Sequence, residues 1–228
     1  MKINFHLPLL VVFLSTFSLE AQQSYDYFYL VLQWPGSFCD SKQGCCYPTT
    51  GKPKSDFGIH GLWPNYNDGT YPSNCDANNP FDPSKIDDLM SSMQSEWPTL
   101  ACPQSDGLKF WSHEWNKHGT CSESILDQHT YFQTALDFKK KLDPLQILQN
   151  AGIEPADGSS YSLSSISQAL AQGVGGHEVG IQCNVDLSGN AQLFQLYFCL
   201  DQAASEIIPC PNSPSSTCSS DGIEFPVF

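Results

Sequence analysis

Ten cysteines, an even number with the first at Cys39, constrain this chain more than any other feature. Disulfides persist where the surroundings are oxidising, so such a set points to export and to a fold whose loops are stapled together. Cys45 and Cys46 are adjacent and do not sensibly pair with each other, so each needs a distant partner. Zinc binding is the competing use of cysteine, but the chain contains no CxxC pair.

The N-terminus fits export. Lys2 precedes an apolar run, Leu9 to Leu14, and Leu19-Glu20-Ala21 suits cleavage shortly before Gln22, so residues 1–21 read as a secretory signal. The run is too short to span a bilayer, and no other segment is apolar enough to cross a membrane. The remaining 22–228 suffice for one domain with a full-sized core. The net charge of −14 is unchanged by loss of the signal, because Lys2 and Glu20 cancel. A surface this acidic does not hold nucleic acid by bulk electrostatics, so a polyanionic substrate would have to be engaged locally in a cleft.

Tyr25 to Trp34 alternates, with Tyr25, Tyr27, Tyr29, Val31 and Gln33 on one face and Phe28, Leu30, Leu32 and Trp34 on the other. This pattern predicts a strand enclosed on both sides. Residues 35–83 are rich in Pro, Gly, Asn and Cys and read as pinned loops around a short strand near Phe57–His60. Asp82-Pro83 supplies a cap and a first-turn proline for an amphipathic helix over 83–96 that carries Ile86, Leu89, Met90 and Met93, with Trp97 just beyond. Further helices are expected at 129–141, from Pro144 to about Gly152, and over Ser164–Ala171. Gly180–Asp186 and Ala191–Leu200 flank Ser188-Gly189-Asn190 as a β-hairpin. Unevenly spaced helices mixed with strands predict an α+β single domain, disulfide-rich, with a central antiparallel β-sheet flanked by several helices.

Two short segments hold three of the six histidines: Ile59-His60-Gly61-Leu62-Trp63-Pro64 and Phe110-Trp111-Ser112-His113-Glu114-Trp115-Asn116-Lys117-His118-Gly119-Thr120-Cys121. At about 100° per residue, a helix here places His113, Glu114, Lys117 and His118 within an arc of roughly 140°. One strip thus presents two imidazoles, a carboxylate and an ammonium to a common ligand. The zinc-protease pattern His-Glu-x-x-His fails, because the second histidine falls one position too late. His60, at a strand end and opposed to a helical histidine, completes a general acid and general base pair. RNA suits such a pair, since its 2′-hydroxyl is a built-in nucleophile beside the scissile phosphate. DNA lacks that hydroxyl.

Both segments closely resemble the two active-site signatures of the T2 family of ribonucleases. The likeness runs from about Tyr25 to Phe228 and is strongest to plant self-incompatibility-like (S-like) secreted ribonucleases. It implies that 22–228 is a T2-type ribonuclease domain, an endoribonuclease that cleaves single-stranded RNA through a 2′,3′-cyclic phosphate without metal or cofactor. His118 would be the general base and His60 the general acid. Glu114 and Lys117 would stabilise the phosphorane, and His113 would hold phosphate. Gln33 and Phe110 match base-contacting positions, and Thr99 is a further base-site candidate. The implied disulfides are Cys39–Cys45, Cys46–Cys102, Cys75–Cys121, Cys183–Cys218 and Cys199–Cys210. The expected partner is RNA, not DNA or membrane, and the expected form a secreted monomer, outside the cell or in the vacuole. A mildly acidic optimum is expected, with the acidic surface favouring charged imidazoles. Two rival readings exist: a storage or defence protein that has lost turnover, and a secreted binding module. The first is disfavoured because no member of the catalytic set is missing, and the second has no motif behind it.

Overall fold

Apolar side chains on both sides of Tyr25–Trp34 require cover on both faces and along both edges, and the chain supplies it. The computed structural model describes residues 25–228; the expected signal at 1–21 lies outside the described residues. In chain order the first half contains β1 (Tyr27–Gln33), α1 (Pro35–Cys39), β2 (Gly58–Asn65), a 3₁₀ helix (Pro83–Leu89), α2 (Met90–Glu96), α3 (Leu108–Lys117) and a 3₁₀ turn (Gly119–Ser122). The second half contains α4 (Gln128–Leu142), α5 (Pro144–Asn150), β3 (Ser160–Tyr161), α6 (Leu163–Gly173), β4 (Gly180–Val185), β5 (Ala191–Asp201) and β6 (Ile223–Glu224).

β1 pairs antiparallel with β2 on one side and β5 on the other, and β4 forms the hairpin with β5. β6 adds a parallel contact to β5, and β3 lies beyond it. Phe28, Leu30, Leu32 and Trp34 enter the main core with Trp111 and Trp115 of α3 and Tyr131, Phe132, Ala135 and Leu136 of α4. Tyr27, Tyr29 and Val31 form a smaller cluster on the opposite face with Tyr197 and Cys199, covered in part by Trp63. The molecule is thus an α+β domain whose helices pack mainly on one face of the sheet.

Three expectations need correction. The segment 83–96 is not one helix: Ile86 leaves helical geometry at φ −130°, ψ 21°, and the first half is 3₁₀. Its buried residues explain this. Ile86 to Leu89 is a step of three, the 3₁₀ period, whereas Leu89, Met93 and Trp97 step by four. The strand expected near Phe57–His60 instead runs to Asn65 and carries the whole His60–Pro64 motif. Proline is tolerated there because β2 is an edge strand, where a missing N–H need not break a ladder. The segment after β1 also winds into the short α1, opened by Pro35, where only loop was expected.

The disulfides are Cys39–Cys45, Cys46–Cys102, Cys75–Cys121, Cys183–Cys218 and Cys199–Cys210, and no cysteine is free among the described residues. The last two pin the irregular C-terminal tail to β4 and β5. Thr217 adds to this, its hydroxyl accepting from the Cys183 N–H and donating to the Cys183 carbonyl. That seals part of the outer edge of β4. Cys75–Cys121 ties the loop after β2 to the turn after α3. Replacing both Cys75 and Cys121 by Ser opens a loop of 46 residues, which the chain-entropy model values at about 4 kcal/mol of stability. Denaturant unfolding of the double variant checks this, and a loss below about 1 kcal/mol would contradict that estimate.

Candidate active site

His60 owes its position to a break in strand register. Val31 pairs with Gly61 but Leu32 pairs with Ile59, so His60 is the extra residue of a β-bulge. A bulge re-aims a side chain without ending the sheet. Its backbone is held from the helical side, where the Trp97 indole donates to the His60 carbonyl at 3.0 Å and the Tyr131 hydroxyl to the Leu62 carbonyl at 2.7 Å. The half-buried His60 ring lies 5.9 Å from that of Phe110.

The second segment forms α3. Trp111 and Trp115 are fully buried, and their indoles donate to the carbonyls of Trp97 and Asn79. With those rings turned inward, the four expected residues separate by depth. Glu114 is 2% exposed and His118 5% exposed, Lys117 is half-buried, and His113 is exposed. The single strip expected from helical arithmetic is therefore two layers. His118 lies just past the helix, and its N–H still donates to the Glu114 carbonyl at 3.0 Å. Gly119 is required next, because a Cβ there would sit 2.3 Å from the Trp115 ring.

Trp63 joins the two segments. Its indole N–H donates to Glu114 Oε2 at 2.8 Å. His118 stacks on the Trp63 ring at 5.2 Å between centroids and 26° between planes. His60 meets it edge-on, also at 5.2 Å. Gly61 permits this arrangement, since a Cβ would lie 2.0 Å from Trp63 Nε1 and 2.4 Å from Glu114 Oε2. Tyr71, 54% exposed, brings its ring to 6.3 Å from His118, with the Lys117 ammonium 6.0 Å from the same ring.

Burial sets the electrostatics. It pushes the Glu114 carboxyl up to about 7, against the Trp63 hydrogen bond and the Lys117 charge. Burial lowers His60 to about 4, helped by His113 and Lys117. Burial likewise lowers His118 to about 3, helped by Lys117, His113 and His60. His118 Nδ1 is buried without a hydrogen-bond partner among the described residues. The expectation that the acidic surface favours charged imidazoles is thus overturned locally. Desolvation and the neighbouring basic side chains outweigh a diffuse and screened surface charge. An anion entering the cleft would reverse that balance.

The expected base-contacting residues are dispersed. Thr99, nearly buried, and Phe110 line a cleft of about 580 Å³ with Thr49, Ser105 and Lys109. Gln33 does not line that cleft; its Oε1 accepts from Gln195 Nε2 at 3.2 Å. Sequence reasoning treats Trp63 as a wall and passes over Tyr71 and Gln195. Tyr71 sits in an irregular segment where no periodicity marks it, and Gln195 reads as one polar residue in an alternating strand.

The Ribonuclease T2 family model matches residues 25–210. The chain is 60% identical to extracellular ribonuclease LE of Solanum lycopersicum over 211 residues, covering 92% of this chain and 90% of that protein. It is 58% identical to intracellular ribonuclease LX of the same plant, covering 90% of this chain and 86% of that protein. Among solved structures, RNase NT in complex with 5′-AMP superposes with a TM-score of 0.86 at 54% identity, covering 90% of this chain and all of that one. With its histidine-bearing strand and helix joined through Trp63, this chain belongs to the ribonuclease T2 family and is an endoribonuclease.

Proposed function

We propose that this protein cleaves single-stranded RNA, and not DNA, through a 2′,3′-cyclic phosphate that is then hydrolysed to a 3′-phosphate. The supporting observation is that His60 and His118, borne on different elements, meet the same Trp63 ring. In the first step His118 takes the 2′-hydroxyl proton as O2′ bonds to phosphorus. The bond from phosphorus to O5′ breaks, and His60 donates the proton that O5′ requires. Hydrolysis reverses these roles, with water in place of the 5′-hydroxyl. Glu114 and Lys117 stabilise the phosphorane, and exposed His113 holds phosphate at the rim. A carboxyl near 7 suits that task, because Glu114 can be neutral and donate to a phosphoryl oxygen.

Phe110 and Thr99 take a base in the cleft they line, and Gln33 contacts the substrate from a separate position on the sheet. The exposed Tyr71 ring offers a second stacking surface beside His118. The protein works as a monomer, since one chain supplies both imidazoles. Residues 1–21 act as a secretory signal for the domain 22–228, and five disulfides suit an oxidising destination, the cell exterior or the vacuole.

Three expectations follow from this chemistry. RNA cleavage persists in excess EDTA and stops when the scissile nucleotide carries 2′-deoxyribose; gel assays read both, and a metal requirement would overturn the scheme. His118→Phe and His60→Phe each lose about 10³-fold or more in kcat while remaining folded. Their stability should also depend less on acid. Native imidazoles near 3 and 4 against about 6.5 unfolded mean that wild-type stability is full above 6.5 and falls as pH drops toward those values. Each variant lacks one of these contributions, which urea unfolding across that window checks. Finally, a bound phosphate raises both imidazole pKa values, so the alkaline limb of kcat lies at higher pH than that of kcat/KM. Initial rates over the acid and neutral range test this. Coincident limbs, or a rate still climbing at about pH 9, would exclude a charged imidazole acid.

A further inference from the structure

Three glutamines stand side by side across the sheet. Gln33 of β1 and Gln182 of β4 both pair with Gln195 of β5. Gln195 is 5% exposed, and every polar atom of its amide has a partner. Nε2 lies 2.6 Å from His60 Nδ1 and 3.2 Å from Gln33 Oε1. Oε1 accepts from the Tyr197 hydroxyl at 2.9 Å. Tyr197, two residues along the same face and itself buried, has a second acceptor in Gln182 Oε1 at 3.0 Å.

These partners orient the amide. With the Tyr197 O–H on Gln195 Oε1, Gln195 Nε2 faces Gln33 Oε1 and His60 Nδ1. A nitrogen that receives an N–H cannot itself carry a proton. In that arrangement His60 Nδ1 is the bare nitrogen, and the neutral ring keeps its hydrogen on Nε2. We propose that Gln195, braced by Tyr197 and Gln33, is the positioning residue for His60, holding the imidazole in its Nε2–H tautomer with that nitrogen free for the reaction.

A neutral amide has a consequence that a carboxylate would not. A carboxylate on Nδ1 would favour the imidazolium permanently. The groups facing His60 from α3, His113 and Lys117, oppose that charge, as does His118 beyond the helix end. An amide adds no charge of its own. It can also serve both states by turning end for end, when Oε1 would accept from Nδ1–H of the charged ring. Tyr197 would then pass its O–H to Gln182 Oε1, already within reach, and Gln33 would turn with its neighbour. The glutamine row thus keeps His60 partnered whether or not it carries the extra proton.

The inference rests on His60 being the acid of the proposed reaction, but its first readout is independent of turnover. In ¹⁵N NMR of the imidazoles, wild-type His60 should show a bare, hydrogen-bonded Nδ1 and a protonated Nε2. Gln195→Leu should mix the tautomers and lower kcat roughly tenfold to a hundredfold with little change in KM. Gln195→Glu should raise the His60 pKa and the alkaline limb of kcat/KM together, by about one unit or more. If Gln195→Leu does not fold, Tyr197→Phe and Gln195→Glu carry the comparison, with Tyr197→Phe weakening the tautomer preference. A wild-type Nδ1–H tautomer would overturn the proposal. So would variants that leave both tautomer and His60 pKa unchanged, even if cleavage slows. Full activity in His60→Phe would instead sink the catalytic reading and leave the tautomer result standing.

Discussion

The indole N–H of Trp63 donates to a carboxylate oxygen of Glu114 across the junction of β2 and α3, and the site is arranged around that contact. It fixes the distance between the strand that carries His60 and the helix that precedes His118. It gives buried Glu114 the partner that a desolvated carboxyl needs. It also presents the Trp63 ring to both imidazoles, edge-on to one and stacked on the other. Gly61 is the local condition for all of this, since any Cβ would occupy the space where donor and acceptor meet.

The rest of the fold supports that junction from outside. Buried tryptophans 97, 111 and 115 spend their N–H groups on backbone carbonyls, one of them that of His60 itself. Tyr131 of α4 does the same for Leu62. The backbone of the first motif is thereby anchored to the helical layer rather than left as an unsupported edge strand. Cys75–Cys121 then closes the far side, linking the loop after β2 to the turn that begins with Gly119. The polar groups of the site sit on supports that are themselves hydrogen-bonded, which is what a geometry-dependent reaction requires.

The charge state of the site explains how an acidic protein can act on a polyanion. Desolvation, with Lys117 close by, holds the His60 and His118 imidazoles below their usual range. In the proposed reaction an arriving phosphate would bring the charge that stabilises the imidazolium form. Under that proposal, recognition and activation would be one electrostatic event confined to the cleft. The −14 carried by the whole chain matters little at that range.

Much of this was legible in the sequence, and the boundary has physical causes. Period-two alternation marked β1, since both of its faces are apolar and Tyr25–Trp34 could only be an enclosed strand. The Asp143-Pro144 start marked α5 through local backbone chemistry. The break at Ile86 was hidden, because 3₁₀ and α spacing coincide until the core decides which turn is tighter. The two histidine segments identified the family by their residues alone. What needed the tertiary structure was how the side chains of those segments meet. A bulge set His60, depth divided the four residues of α3, and Trp63 proved a partner rather than a wall. Gln195, 135 residues beyond His60, came to rest on its Nδ1. The sequence by itself determined which chemical groups are present and on what local elements they ride, because propensity, capping and periodicity act over a few residues. Their depth, protonation and mutual contact were decided only by packing, because burial and hydrogen bonding are properties of the assembled surfaces.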